Sequence, residues 1–146
     1  MIADTSFAAM FPTLASAAVV AFVPTRDPEK ARQFYENVLG LDFIADDAFA
    51  LVFNSNGVTI RVVNVSRIDS FEPAPFTILG WDASSVEAAV RQLVAKGVEF
   101  ERFPGMPQDA DGIWQSPSGA RVAWFKDPDG NLLSISEGSP AAVSSA

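Results

Sequence analysis

The pattern of apolar and polar positions along this chain runs through the same short programme twice. Val19 to Val23 is a nearly all-apolar run, as expected of a strand covered on both faces. Asp27 then precedes Pro28, and Ala31, Phe34, Tyr35, Val38 and Leu39 recur at helical spacing as far as Gly40. An aspartate cap, a proline at the first helical position and a closing glycine predict a helix between them. Leu41 to Ala45 and Phe49 to Asn54 read as strands, and Asn56-Gly57 is a hairpin turn into a further strand, Val58 to Val65.

After a linker from Ser66 to Pro75, the order repeats. Phe76 to Trp81 predicts a strand, and Ser84 with Glu87 forms a capping box. Val86, Ala89, Val90, Leu93 and Val94 then make a helix stripe that stops at Gly97. Val98 to Phe103, Arg121 to Lys126 and Leu132 to Ser136 supply the remaining strands, with Asp127-Pro128-Asp129-Gly130 as the turn. The fold class is therefore α+β, two tandem βαβββ modules over residues 18–65 and 76–138 of one domain. Residues 1–17 read as an N-terminal arm and 139–146 as a disordered tail.

The copies differ in one place. Between Phe100 and the strand that begins at Arg121, the second copy carries an insertion running from Pro104 to Gly119. Such a connection is either a binding loop or a loop that tucks its own apolar residues onto the core. Phe103, Met106 and Trp114 are its candidates for a lid over a cavity, and Trp114 could stack on a planar ligand.

Composition narrows the chemistry. With 146 residues, 49% of them hydrophobic, the chain can build one core shared by both copies. It has no cysteine and no histidine, so thiol chemistry, zinc-thiolate sites and histidine acid–base catalysis are excluded. A net charge of −8 with ten basic residues argues against nucleic acid as a partner. The first twenty residues are apolar but carry Asp4, Pro12 and no Lys or Arg, so they read as neither a secretory signal nor a membrane span, and the expected location is the cytoplasm.

Asp27-Pro28-Glu29, Phe34-Tyr35, Leu39-Gly40-Leu41 and the run from Trp124 to Asn131 together resemble the vicinal oxygen chelate superfamily, which includes glyoxalase I, extradiol dioxygenases and the bleomycin and fosfomycin resistance proteins. The resemblance covers roughly residues 18 to 137. It implies strands forming an incomplete barrel around a central cavity, and a homodimer. It also implies four metal-ligand positions, which fall on Val20, Arg61, Ile78 and Ser134. None is the His, Glu or Gln of the enzymatic members, so no metal and no cofactor is expected.

Strand alternation sets the cavity lining. Val20, Phe22, Thr59, Arg61, Val63, Phe76, Ile78, Ser134 and Ser136 share one face. Pairing across the Asp-Pro-Asp-Gly turn sets Phe125 opposite Leu132 and Arg121 opposite Ser136, both inward. Trp81 and Trp124 fall on the other parity and are assigned to the core. The candidate ligand-binding residues are thus Phe22, Arg61, Phe76, Ile78, Phe103, Trp114, Arg121, Phe125 and Ser134. Arg61 calls for an anionic or carbonyl-rich partner, either on a ligand or as a protein acid, or else for a solvated cavity mouth. The expected function is metal-independent binding of a small organic molecule; a glyoxalase-type lyase or isomerase, and a dimeric module with a collapsed cavity, are the alternatives.

Overall fold

The computed structural model describes residues 13–138. Most of the predicted N-terminal arm and all of the predicted disordered tail lie outside them. The first module consists of β1 (Val20–Thr25), α1 (Pro28–Arg32), β2 (Asp42–Asp46), β3 (Ala50–Ser55) and β4 (Val58–Asn64). The second consists of β5 (Thr77–Asp82), α2 (Val86–Ala95), β6 (Trp114–Gln115), β7 (Arg121–Lys126) and β8 (Leu132–Glu137). Each module forms a four-stranded sheet, in the orders β1-β4-β3-β2 and β5-β8-β7-β6, so the duplication is exact in topology. In each, the first strand pairs parallel to the last, and the others are antiparallel. The sheets are not closed into a barrel.

Local chemistry accounts for the helices. The Asp27 side chain accepts from Lys30 N at 3.2 Å, with Pro28 in the first turn. Beyond Arg32 the helix widens into a π-helical segment, Gln33–Val38, closed by Leu39 N donating to Phe34 O at 2.9 Å. The second helix is capped by Ser85, whose hydroxyl accepts from Ala88 N at 3.1 Å, one residue beyond the Ser84 of the predicted capping box. Glu137 Oε1 takes the adjacent Val86 N–H at 2.7 Å, so the last strand contributes to the cap.

Val23, Tyr35, Phe53, Ile60, Val62, Val86, Val90, Phe125, Leu133 and Ile135 form one buried cluster, with both modules contributing to it. The helices lie on this side of the sheets, and the opposite face of each sheet is open.

The predicted strand from Val98 to Phe103 does not form. Only Phe100 bridges to Phe125, and Glu101 N donates to Trp124 O at 2.8 Å. The edge beyond β7 is divided instead. The segment after α2 lies along its Phe125 half, and β6, inside the insertion, pairs with its Arg121–Val122 half. Gln108 holds the excursion between them, accepting from Phe103 N at 2.8 Å and donating to Glu101 O and Gly112 O at 2.9 and 2.8 Å. The insertion is therefore a built piece of sheet edge.

Strand parity is as expected for β1, β4 and β8, but not for β7. The turn after β7 spans five residues, with Asp127 N donating to Asn131 O at 3.0 Å, so Lys126 rather than Phe125 pairs with Leu132. A slip of one residue sends every side chain of a strand to the other face. Phe125, which is 0% exposed, and Arg121 consequently lie on the helix side, and Trp124 lies on the open side. Arg121 sits 3.8 and 3.7 Å from Glu87 and Glu137 beside the start of α2. Ile78 occupies an irregularity between Thr77 and Leu79 and packs against the core, also contrary to its expected place.

Candidate functional site

Two rows of side chains cross the open faces, one on each sheet. On the first sheet, Phe22 of β1 lies beside Arg61 of β4, which lies beside Val52 of β3. On the second, Gly80 of β5 lies beside Ser134 of β8, which lies beside Trp124 of β7. These are equivalent strands in the two copies. A Cβ added at Gly80 would stand 2.5 Å from Ser134 Oγ, so this part of the second sheet is flat because glycine keeps it so.

The flat row ends in an aromatic group. Trp124 lies 5.4 Å from Phe103, edge to face, and 6.1 Å from Trp114, ring centroid to ring centroid. β6 pairing sets Trp114 beside Val122, on the same face as Trp124, and Gln108 fixes the backbone at Phe103. All three rings are half-buried. Burying one edge of a ring against its neighbours while another stays accessible is how aromatic side chains present a stacking surface.

Arg61 finds its partner within the protein. Its Nη2 donates to Asp47 Oδ2 at 2.7 Å. Asp47 also accepts from Ala50 N and Phe49 N at 2.9 and 3.0 Å. The Arg61 bond, then these backbone donors, hold its carboxyl below the usual carboxylate range. Of the two guanidiniums predicted to face inward, Arg61 alone lies on the open face, and it is matched without an anionic ligand.

Of the nine sequence-predicted site residues, Phe22, Arg61 and Ser134 lie in the two rows, and Phe103 and Trp114 flank Trp124. Phe76 precedes β5 and is 63% exposed, as is Phe22. Ile78, Arg121 and Phe125 are placed away from this face. Sequence reasoning missed Trp124 through the turn slip. It also missed Asp47, whose signal was an aspartate two residues before a strand, where its side chain can accept from the following backbone.

The residues at the positions where the resemblance implies a divalent metal do not fit one. Val20 and Ile78 are apolar, Arg61 is a cation, and Ser134 lies beside glycine rather than a ligating side chain. Among the described residues, no three His, Cys, Asp or Glu side chains are grouped to hold a metal ion. A separate polar knot lies at the module junction. Tyr35 donates to Asp127 Oδ2 at 2.7 Å, and Asn131 Nδ2 donates to the same oxygen at 2.8 Å and to Pro24 O at 2.9 Å. Burial pushes the Asp127 carboxyl up despite these bonds. No helix among the described residues is long and apolar enough to cross a membrane.

Comparisons with known proteins agree with this geometry. The structure resembles a member of the glyoxalase/bleomycin resistance protein/dioxygenase superfamily from Sphaerobacter thermophilus, at 23% identity and a TM-score of 0.66, over 86% of this chain and 99% of that one. It resembles lactoylglutathione lyase from Agrobacterium tumefaciens at 19% identity and a TM-score of 0.64, over 84% and 94% of the two chains. It also resembles TnmS3, an antibiotic binding protein from a Streptomyces strain, at 25% identity and a TM-score of 0.63, over 85% and 97%. No curated protein matches the chain. The family model for the Glyoxalase/Bleomycin resistance protein/Dioxygenase superfamily matches residues 16–135, and the chain belongs to that superfamily.

Proposed function

We propose that this chain is a metal-independent, cytoplasmic binding protein that takes a planar organic molecule without net negative charge onto the open faces of its sheets. The observation that carries this reading is the Phe103–Trp124–Trp114 group beside the flat Gly80–Ser134 row. A planar ring loses little on lying over such a surface and gains dispersion contacts along its whole face. Charge argues in the same direction, because Arg61 is already paired with Asp47 and the chain carries a net charge of −8. The likeness to an antibiotic binding protein favours sequestration. The likeness to lactoylglutathione lyase is one of fold alone.

A homodimer completes the proposal. Phe22 is 63% exposed and Val20, on the same open face of β1, is 42% exposed, an apolar strip of the kind that marks an association surface. A second copy laid across the open faces would cover this strip and turn two shallow surfaces into a cavity.

Equilibrium dialysis with three tricyclic probes tests the ligand class: neutral acridone, cationic proflavine and an anthracene carboxylate. Retention of the first two above the carboxylate supports the reading. Retention of the carboxylate alone, or of none, refutes it.

A further inference from the structure

We infer a second small-molecule site on the opposite, helix-bearing side of the sheets, suited to a single-ring phenol. A pocket of about 200 Å³ lies where the two modules meet. Leu39 and Leu41, just past the π-helical segment, form one wall, Ala89 and Leu93 of α2 form another, and Trp81 and Phe125 line it from the second sheet. All six pack with the buried core cluster, so the pocket is continuous with the core and separate from the open faces.

Its size and chemistry select the occupant. An apolar cavity of about 150 Å³ stays dry and accepts a benzene ring. This pocket is somewhat larger and opens to solvent on one side, which leaves room for a ring with one or two small substituents. Two polar side chains line it. Ser55 Oγ accepts the Trp81 indole N–H at 2.9 Å, and its own proton meets no acceptor among the described residues. Gln92 is exposed at the pocket's mouth, where its carboxamide is free to meet a ligand. A phenol suits this arrangement, because its oxygen can accept from Ser55 while its own proton points to the mouth, where the Gln92 carboxamide oxygen can accept it. A charged ring would leave an ion against leucine and phenylalanine, and a plain hydrocarbon would leave the serine proton unused.

The site also has a mechanical consequence. Ser55 ends β3 of the first module and Trp81 belongs to β5 of the second. A ligand between them adds contacts that exist only when the modules are docked, so binding raises the thermal midpoint.

The experiment follows the Trp81 indole N–H resonance in nitrogen-labelled protein titrated with p-cresol. The expected result is a saturable shift of that resonance, with the indoles of Trp114 and Trp124 unmoved. Ala89→Leu fills the pocket and is expected to weaken cresol binding by more than about tenfold. Ala83→Val, at another wall position, is expected to do the same and serves if the first variant does not fold. Phe22→Ala, on the open face, is expected to leave it unchanged. No Trp81 shift, or a shift that survives in a folded pocket-filling variant, overturns the inference. Because the readout is confined to Trp81, that failure leaves the open-face reading untouched, and loss of tricyclic binding leaves this one untouched.

Discussion

Tyr35 donates its phenol proton to Asp127 Oδ2 at 2.7 Å, tying the helix of the first module to the last turn of the second. The phenol is fully buried and is held far above its ordinary titration range by burial first and the Asp127 charge second. A phenol raised in the folded state contributes stability that is fully present below its unfolded value, about pH 10, and lost as pH rises beyond it. Tyr35 is the only tyrosine in the chain, so phenolate absorbance reads this one group. Absorbance is expected to appear only together with loss of the folded circular dichroism signal. Ionisation near pH 10 in folded protein would contradict the bond. Tyr35→Phe is expected to lower the unfolding free energy by about 1–3 kcal/mol in denaturant titration, because it removes a donor from a buried carboxylate.

Asp47 gives the opposite dependence. Its carboxyl is held low, so its contribution is present above the usual carboxylate range and is lost as pH falls through its depressed value. In Arg61→Ala, carboxyl carbon resonances are expected to show Asp47 titrating closer to the ordinary range. The same substitution is expected to change acridone affinity by less than about threefold, since the ion pair is internal and partly solvated. A loss of acridone binding well beyond that would mean that Arg61 engages the ligand directly.

Much of this fold can be read from residue order because its signals are local. Asp27 with Pro28, Gly40, and the Asn56-Gly57 turn each act within a few residues, and the structure places them as their chemistry dictates. The errors come from interactions that are not local. Asn131 is drawn inward to Pro24 and Asp127, which lengthens the turn after β7 by one residue and exchanges Phe125 for Trp124 on the open face. Ser84 and Ser85 are equally good caps on composition, and Glu137, fifty-one positions away from Val86, lies at the Ser85-capped start. The divided edge beside β7 depends on Gln108, a residue with no strand or turn signature of its own.

Self-association gives a third test. Light scattering coupled to size-exclusion chromatography is expected to return twice the 15.6 kDa chain mass. Phe22→Glu sets a charge on the open face and is expected to shift the population to monomer, while helix content stays unchanged. A wild-type monomer at all concentrations would remove the second copy from the account.

The central claim is that the Phe103–Trp124–Trp114 group carries the ligand. Trp81→Phe leaves only Trp114 and Trp124 as indole reporters, because the chain has three tryptophans. Acridone titrated into that variant is expected to quench its fluorescence saturably. Adding Trp114→Phe should keep the quenching, whereas Phe103→Ala should weaken it by roughly tenfold, about 1.4 kcal/mol of lost contact. Linear, unsaturable quenching, or saturation at the same concentration after Phe103→Ala, would show that the aromatic group does not hold the ring.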